Sequence, residues 1–157
     1  MISTLQKLAM VWLGLLLSLT ASAGEKIQTP PDCLPDGIGV GGYDVLTYRT
    51  GSTPVMGVPE IKFIHAGVEF HFATEANRQA FSLNPESYLP EYDGWCAATL
   101  AFGQLICPDY SNFKVEGDRL LLFELAGFTN GRSVWNSDPV GFRERADENY
   151  RELLGPR

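Results

Sequence analysis

The chain has 157 residues, 45% of them hydrophobic and 20% charged, and its 12 Lys and Arg against 19 Asp and Glu give a formal net charge of -7. That size fits one domain, and an acidic chain without a cluster of Lys and Arg excludes a phosphate-tracking nucleic-acid surface. Three cysteines are too few for a disulfide-scaffolded miniprotein, and 16 Gly with 10 Pro make the chain turn-rich without a fibrous or low-complexity bias.

The first element is an export signal. Lys7, the apolar run Leu8–Leu19 and the small-residue exit Ala21-Ser22-Ala23 supply its three parts, so residues 1–23 are expected to be cleaved after Ala23. The apolar run falls short of the ~20 residues that a bilayer-spanning helix needs, and no later run is longer. No membrane span is expected after cleavage. Export, periplasmic or secreted, places all three cysteines in a compartment where disulfides persist, and an odd number leaves at least one over. Residues 24–36, with Thr29-Pro30-Pro31, read as an extended leader, and residues 37–157 as the folded domain. A domain of that length buries roughly two-thirds of its unfolded surface, so its core needs neither metal nor disulfide.

Gly37-Ile38-Gly39-Val40-Gly41-Gly42 fits the letters G-x-G-x-x-G. A dinucleotide turn, however, ends a strand and opens a helix whose N-terminus faces a pyrophosphate. Here Pro35-Asp36 precede the motif and the strand-like run Tyr43–Tyr48 follows, so it reads as a flexible turn entering a strand. Ile61–His65 and Val68–Phe72 alternate on either side of Ala66-Gly67, which predicts an antiparallel hairpin. A two-residue loop sets His65 opposite Val68, Phe63 opposite Phe70 and Ile61 opposite Phe72. His71 is then a solvated residue opposite Lys62, and His65 lies at the rim of the apolar face. Ala-Gly is a weaker turn signal than Asn-Gly, so a one-residue slip that exchanges the faces stays open.

Thr74-Glu75 opens a short helix with Ala76, Ala80 and Leu83 at helical spacing, and Asn84-Pro85 stops it and starts another turn. Trp95–Phe102, closed by Gly103, suits a buried helix by its length and small residues. Phe113-Lys114-Val115 and Leu120–Phe123 flank Glu116-Gly117-Asp118 as a second hairpin. Asp138-Pro139 caps a final helix whose stripe is Phe142, Ala146, Tyr150 and Leu153, ended by Gly155-Pro156. The fold class is α+β: a small single domain of antiparallel hairpins packed with short helices and a C-terminal helix. No internal repeat is visible.

Enzyme signatures are missing: no G-x-S-x-G elbow, no H-E-x-x-H, no C-x-x-C and no P-loop, with only 2 His in the chain. That weighs against an enzyme. Cys96 opens a helix, where the positive dipole end favours thiolate, so a Cys-His nucleophile with His65 or His71 stays open beside the plainer reading of a buried apolar cysteine.

One ordered set of landmarks is more specific. Phe70-His71-Phe72-Ala73-Thr74-Glu75 is followed by Asn77-Arg78, Phe81, Pro85, Tyr88, Pro90, Tyr92, Gly94-Trp95-Cys96-Ala97 and Gly103. With Val40–Tyr48 before it and Asp138–Tyr150 after it, the series resembles the exported YHS-domain proteins over nearly the whole mature chain. The resemblance implies a small α+β module linked to heavy metals, often copper. It also implies a departure, since the metal-linked relatives carry Cys where this chain has Ala73 and Asn77. Cys96 falls on a landmark of the exported branch, whereas Cys33 and Cys107 do not. On that ground the resemblance implies a Cys33–Cys107 pair and a free Cys96.

Three functional readings follow. The first is an exported binding module that holds a soft transition metal, copper, through Cys96 with His71 or His65, Met56 or a second chain completing the set. The second is a small-ligand or protein-interaction module with an aromatic pocket drawn from Tyr43, Asp44, Tyr88, Tyr92 and Trp95. The third is a thiol-based redox sensor or enzyme using Cys96.

Overall fold

The computed structural model describes residues 33–155. The expected export signal at 1–23 and the leader at 24–32 lie outside the described residues. From Cys33 onward the chain is α+β. The first hairpin pairs β1 (Val58–His65) with β2 (Val68–Phe72), and helix α1 (Glu75–Leu83) follows. Short helix α2 (Ala97–Leu100) precedes the second hairpin, β3 (Asp109–Glu116) with β4 (Arg119–Phe123). A minimal hairpin, β5 (Leu125–Ala126) with β6 (Thr129–Asn130), leads into α3 (Gly131–Trp135) and the C-terminal α4 (Pro139–Leu154).

Strand β4 divides the interior. Its side chains alternate, so Leu120 and Leu122 face one core with Tyr48, Phe70, Phe72 and Phe81, while Leu121 and Phe123 face another with Trp135, Phe142 and Tyr150. Burial on both faces is why Leu120–Phe123 reads as a continuous apolar run. The second core is closed by α4, whose Asp138 accepts from the Gly141 N–H and whose Phe142, Ala146 and Tyr150 point inward. Leu153, the expected end of that stripe, is 49% exposed, because the inward face, four residues on from Tyr150, falls on Leu154, which packs on the second core.

The first hairpin keeps part of the expected register: His65 faces Val68, Phe63 faces Phe70 and Lys62 faces His71. Ile61 does not face Phe72. A bulge between Val58 and Lys62 brings Val58 opposite Phe72 instead, while Ile61 still packs on the first core. The turn residues Ala66 and Gly67 both adopt left-handed conformations, with φ of 48° and 81°. Two positive φ values are what a twisted two-residue hairpin needs, and alanine is a poor fit to the first of them. Ala66→Asn is therefore expected to raise stability by about 0.5–1 kcal/mol. An unchanged or lower thermal midpoint would contradict this.

Other expectations need correction. Tyr43–Tyr48 is not a strand: Tyr43 and Asp44 are extended, and Val45–Arg49 forms a tight helical turn capped by Asp44, whose Oδ1 accepts from the Leu46 N–H at 3.1 Å. The glycine-rich segment before it is a folded turn with Gly39 and Gly41 packed against the rings of Phe70 and Tyr110. In α1 the inward residue is Phe81, fully buried against Phe63, Phe70 and Phe72, and not the stripe Ala76, Ala80 and Leu83. Leu83 is 80% exposed. The last residues assigned to the leader are built into the domain: Cys33 is buried and disulfide-bonded to Cys107, Leu34 packs on the first core, and Pro35–Gly37 is a turn.

Candidate functional site

Asp44 is the most heavily used of the candidate residues. Its side chain is fully buried, and both oxygens are occupied: Oδ1 by the Leu46 N–H, and Oδ2 by the Ala73 N–H at 2.8 Å and the Asn77 amide at 2.6 Å. The carboxylate thus ties the Val45–Arg49 turn to the end of β2 and to α1. Ala73 and Asn77 are the two donors to its Oδ2.

Cys96 is the one free cysteine among the described residues, and Cys33 pairs with Cys107 across a Cα–Cα distance of 5.4 Å. Cys96 is completely buried in the second core, and its Sγ accepts from the Glu124 N–H at 3.2 Å. A burial this deep keeps reagents, metals and substrates from the thiol in the folded state.

The two histidines belong to the first hairpin. His65 is half-buried at the rim, as expected, with Nε2 3.0 Å from Glu86 and its ring edge-on to Phe81. His71 differs from expectation: it is 6% exposed, and Nε2 lies 2.8 Å from Glu69 Oε1. Gly57 runs so close to the His71 backbone that any Cβ there would collide with it, so a further segment lies against this part of β2. Glu69 also accepts from Lys62 at 2.8 Å, and the bonds from Lys62 and His71 hold its carboxyl below the usual range. Neither histidine is hydrogen-bonded to Cys96, and among the described residues no three His, Cys, Asp or Glu side chains form a group that could hold a metal ion. Met56 is exposed and lies beside Gly42.

The aromatic candidates divide between the two cores. Tyr43 and Tyr88 are half-buried against the first, Tyr43 edge-on to Tyr48 and Tyr88 tilted on Phe81. Tyr92 is buried in the second, and Trp95 packs against it. Tyr92 and Asp93 adopt left-handed φ of 57° and 53°. They are held there by side chains: the Tyr92 hydroxyl donates to Asp147 at 2.8 Å, Arg119 donates to Asp147 at 2.7 Å, and the Tyr150 hydroxyl donates to Asp93 at 2.6 Å. Burial, and then the bond to Asp147, pushes the Tyr92 hydroxyl well above its ordinary range, which keeps it a neutral donor.

A feature with no strong sequence signal is the hairpin Leu125–Asn130. Its root is fixed: the Asn112 amide, on a 5% exposed residue, donates to the Glu124 carbonyl at 2.9 Å and to Asn130 Oδ1 at 3.1 Å, and the Gly131 N–H donates to the Glu124 carbonyl. Asn130 also caps α3 through the N–H groups of Arg132 and Ser133. At the tip, Phe128 is 111% exposed, and Leu125, paired with Asn130 at the base, is 51% exposed. Gly127, with φ of 58°, is the only hint of the turn, and strands of two residues are too short to show alternation. Comparison with known proteins finds no matching family model, curated protein or solved structure.

Proposed function

We propose that the protein is an exported, non-enzymatic YHS-like binding module that works through protein contact, with the hairpin Leu125–Asn130 as its contact element. The observation behind this reading is Phe128, a fully exposed ring on a hairpin whose root is held by buried hydrogen bonds. Burying such a side chain in a partner recovers about 1.5–3 kcal/mol, and aromatic anchors on a fixed frame are what interfaces bury at their centres. The segment from Leu125 to Asn130 carries no charge, so it fits an uncharged apolar recess and lacks the basic residues that anionic lipid would attract. The Cys33–Cys107 bond supports an oxidising, exported setting.

A copper centre at Cys96 is the competing reading, and it requires ligands to reach a thiol that is completely buried. Two measurements test the contact element. Phe128→Asp is expected to leave the thermal midpoint unchanged, within the ~0.5 kcal/mol typical of surface sites, because the ring is fully exposed among the described residues. A photo-crosslinking residue at position 128, in the exporting cell, is expected to give one discrete protein adduct that disappears with Leu125→Asp and is missing from a control at exposed Glu148. Equal labelling at 128 and 148, or none at 128, would reject the contact element.

A further inference from the structure

We infer that the domain is built from two copies of one module, in which Cys96 holds the place that Asp44 holds in the first. The correspondence runs along the chain at an almost constant spacing. Ile38 bridges Glu69 of β2 in parallel, and Pro90 bridges Leu120 of β4 in parallel. Three left-handed residues follow each bridge: Val40, Gly41 and Gly42 with φ of 46°, 63° and 83°, and Tyr92, Asp93 and Gly94 with φ of 57°, 53° and 84°. Left-handed backbone costs a residue with a Cβ roughly 1–2 kcal/mol, so two such runs in the same place are not a local accident.

The next step matches as well. The Asp44 N–H donates to the Val55 carbonyl at 2.8 Å, and the Cys96 N–H to the Ile106 carbonyl at 3.0 Å. The hydroxyl three residues later turns back to its carbonyl in both copies, from Thr47 to Asp44 at 2.6 Å and from Thr99 to Cys96 at 3.2 Å. The hairpins then share register and bulge. Val58 faces Phe72 as Asp109 faces Phe123, and after the bulge Lys62, Phe63, Ile64 and His65 pair as Phe113, Lys114, Val115 and Glu116 do.

The module closes on its polar anchor. The residue after the second strand donates its N–H to Asp44 Oδ2 in the first copy, from Ala73, and to Cys96 Sγ in the second, from Glu124. A capped helix then follows: Thr74 caps α1 and Asn130 caps α3. Between Glu124 and Asn130 the second copy holds the hairpin that the first lacks, since Ala73 is joined directly to Thr74. The thiol is therefore a hydrogen-bond acceptor that completes the second module, and Leu125–Thr129 is an insertion that the module does not need for its own closure.

Hydrogen exchange on the full chain tests this. The Ala73 and Glu124 amides, which lie outside both ladders, are expected to exchange slowly, near the rate of the core strands; either one exchanging like an exposed amide overturns the equivalence. Cys96→Ala is expected to speed Glu124 exchange at least about tenfold relative to Ala73, and Cys96→Ser, which restores an acceptor, to return it toward the parent rate. Unchanged Glu124 exchange in Cys96→Ala overturns the anchoring role. A chain with Leu125–Thr129 removed, so that Glu124 meets Asn130, is expected to fold cooperatively with the Cys33–Cys107 bond formed. Failure of that variant to fold overturns the insertion.

Discussion

Asp44→Ala is expected to lower the unfolding free energy by about 3–5 kcal/mol, enough to bring a domain of ordinary stability close to unfolding. The residue is fully buried, and its loss strands the Ala73 N–H and the Asn77 amide without an acceptor while removing the cap on Leu46. Asp44→Asn should cost less, about 1–2 kcal/mol, because one carbonyl oxygen can take the Oδ2 position that serves two donors and only the Leu46 bond is given up. Urea unfolding should show the midpoint falling in that order with little change in slope. If Asp44→Ala and Asp44→Asn unfold at the parent midpoint, Asp44 is not the anchor of the first module.

Opening the disulfide is expected to have a comparable effect. Cys33 and Cys107 are 74 residues apart in sequence, and closing a loop of that size contributes about 4 kcal/mol on the chain-entropy account. With both changed to serine, the N-terminal end of the domain is held chiefly by the bond from the Tyr110 hydroxyl to the Cys33 carbonyl at 2.6 Å and by Leu34 on the first core. Equilibrium unfolding of the double serine variant should show a loss of that order; a loss below about 1 kcal/mol would mean that the bridge adds little to contacts already present.

Which features were legible in the sequence follows from how far each cause reaches along the chain. The two hairpins, the Thr74 cap and the Asp138-Pro139 start rest on neighbours a few residues away, and alternation or capping residues announce them. The bulge after Val58 leaves no trace in alternation, so alternation alone sets Ile61 opposite Phe72, where Val58 stands. Tyr43–Tyr48 has the composition of a strand; its helical turn depends on Asp44, whose other partners lie just after β2 and on α1. Gly57 lies against the His71 backbone, a contact that sequence spacing does not announce.

The duplication hides for a related reason. What repeats is backbone conformation and hydrogen bonding, while few side chains coincide: Gly42 with Gly94, Thr47 with Thr99, and Phe72 with Phe123. An acidic anchor in one copy and a thiol in the other share only the capacity to accept an N–H. Residue chemistry therefore pointed to Cys96 as a ligand or nucleophile, whereas its neighbours are Glu124, Gly131 and the apolar second core. Phe128 carries no sequence signal because its exposure is decided by the fixed root of its hairpin, which draws on Asn112 from a different strand.

The most direct measurement is the reactivity of Cys96 in the folded, disulfide-bonded protein. Following thiol modification by an aromatic disulfide reagent at neutral pH, the account predicts that Cys96 reacts only as fast as the domain opens, and at full speed once the chain is unfolded in denaturant. Modification of the native protein at the rate of an exposed thiol would contradict it, and would return Cys96 to the position of a ligand or nucleophile.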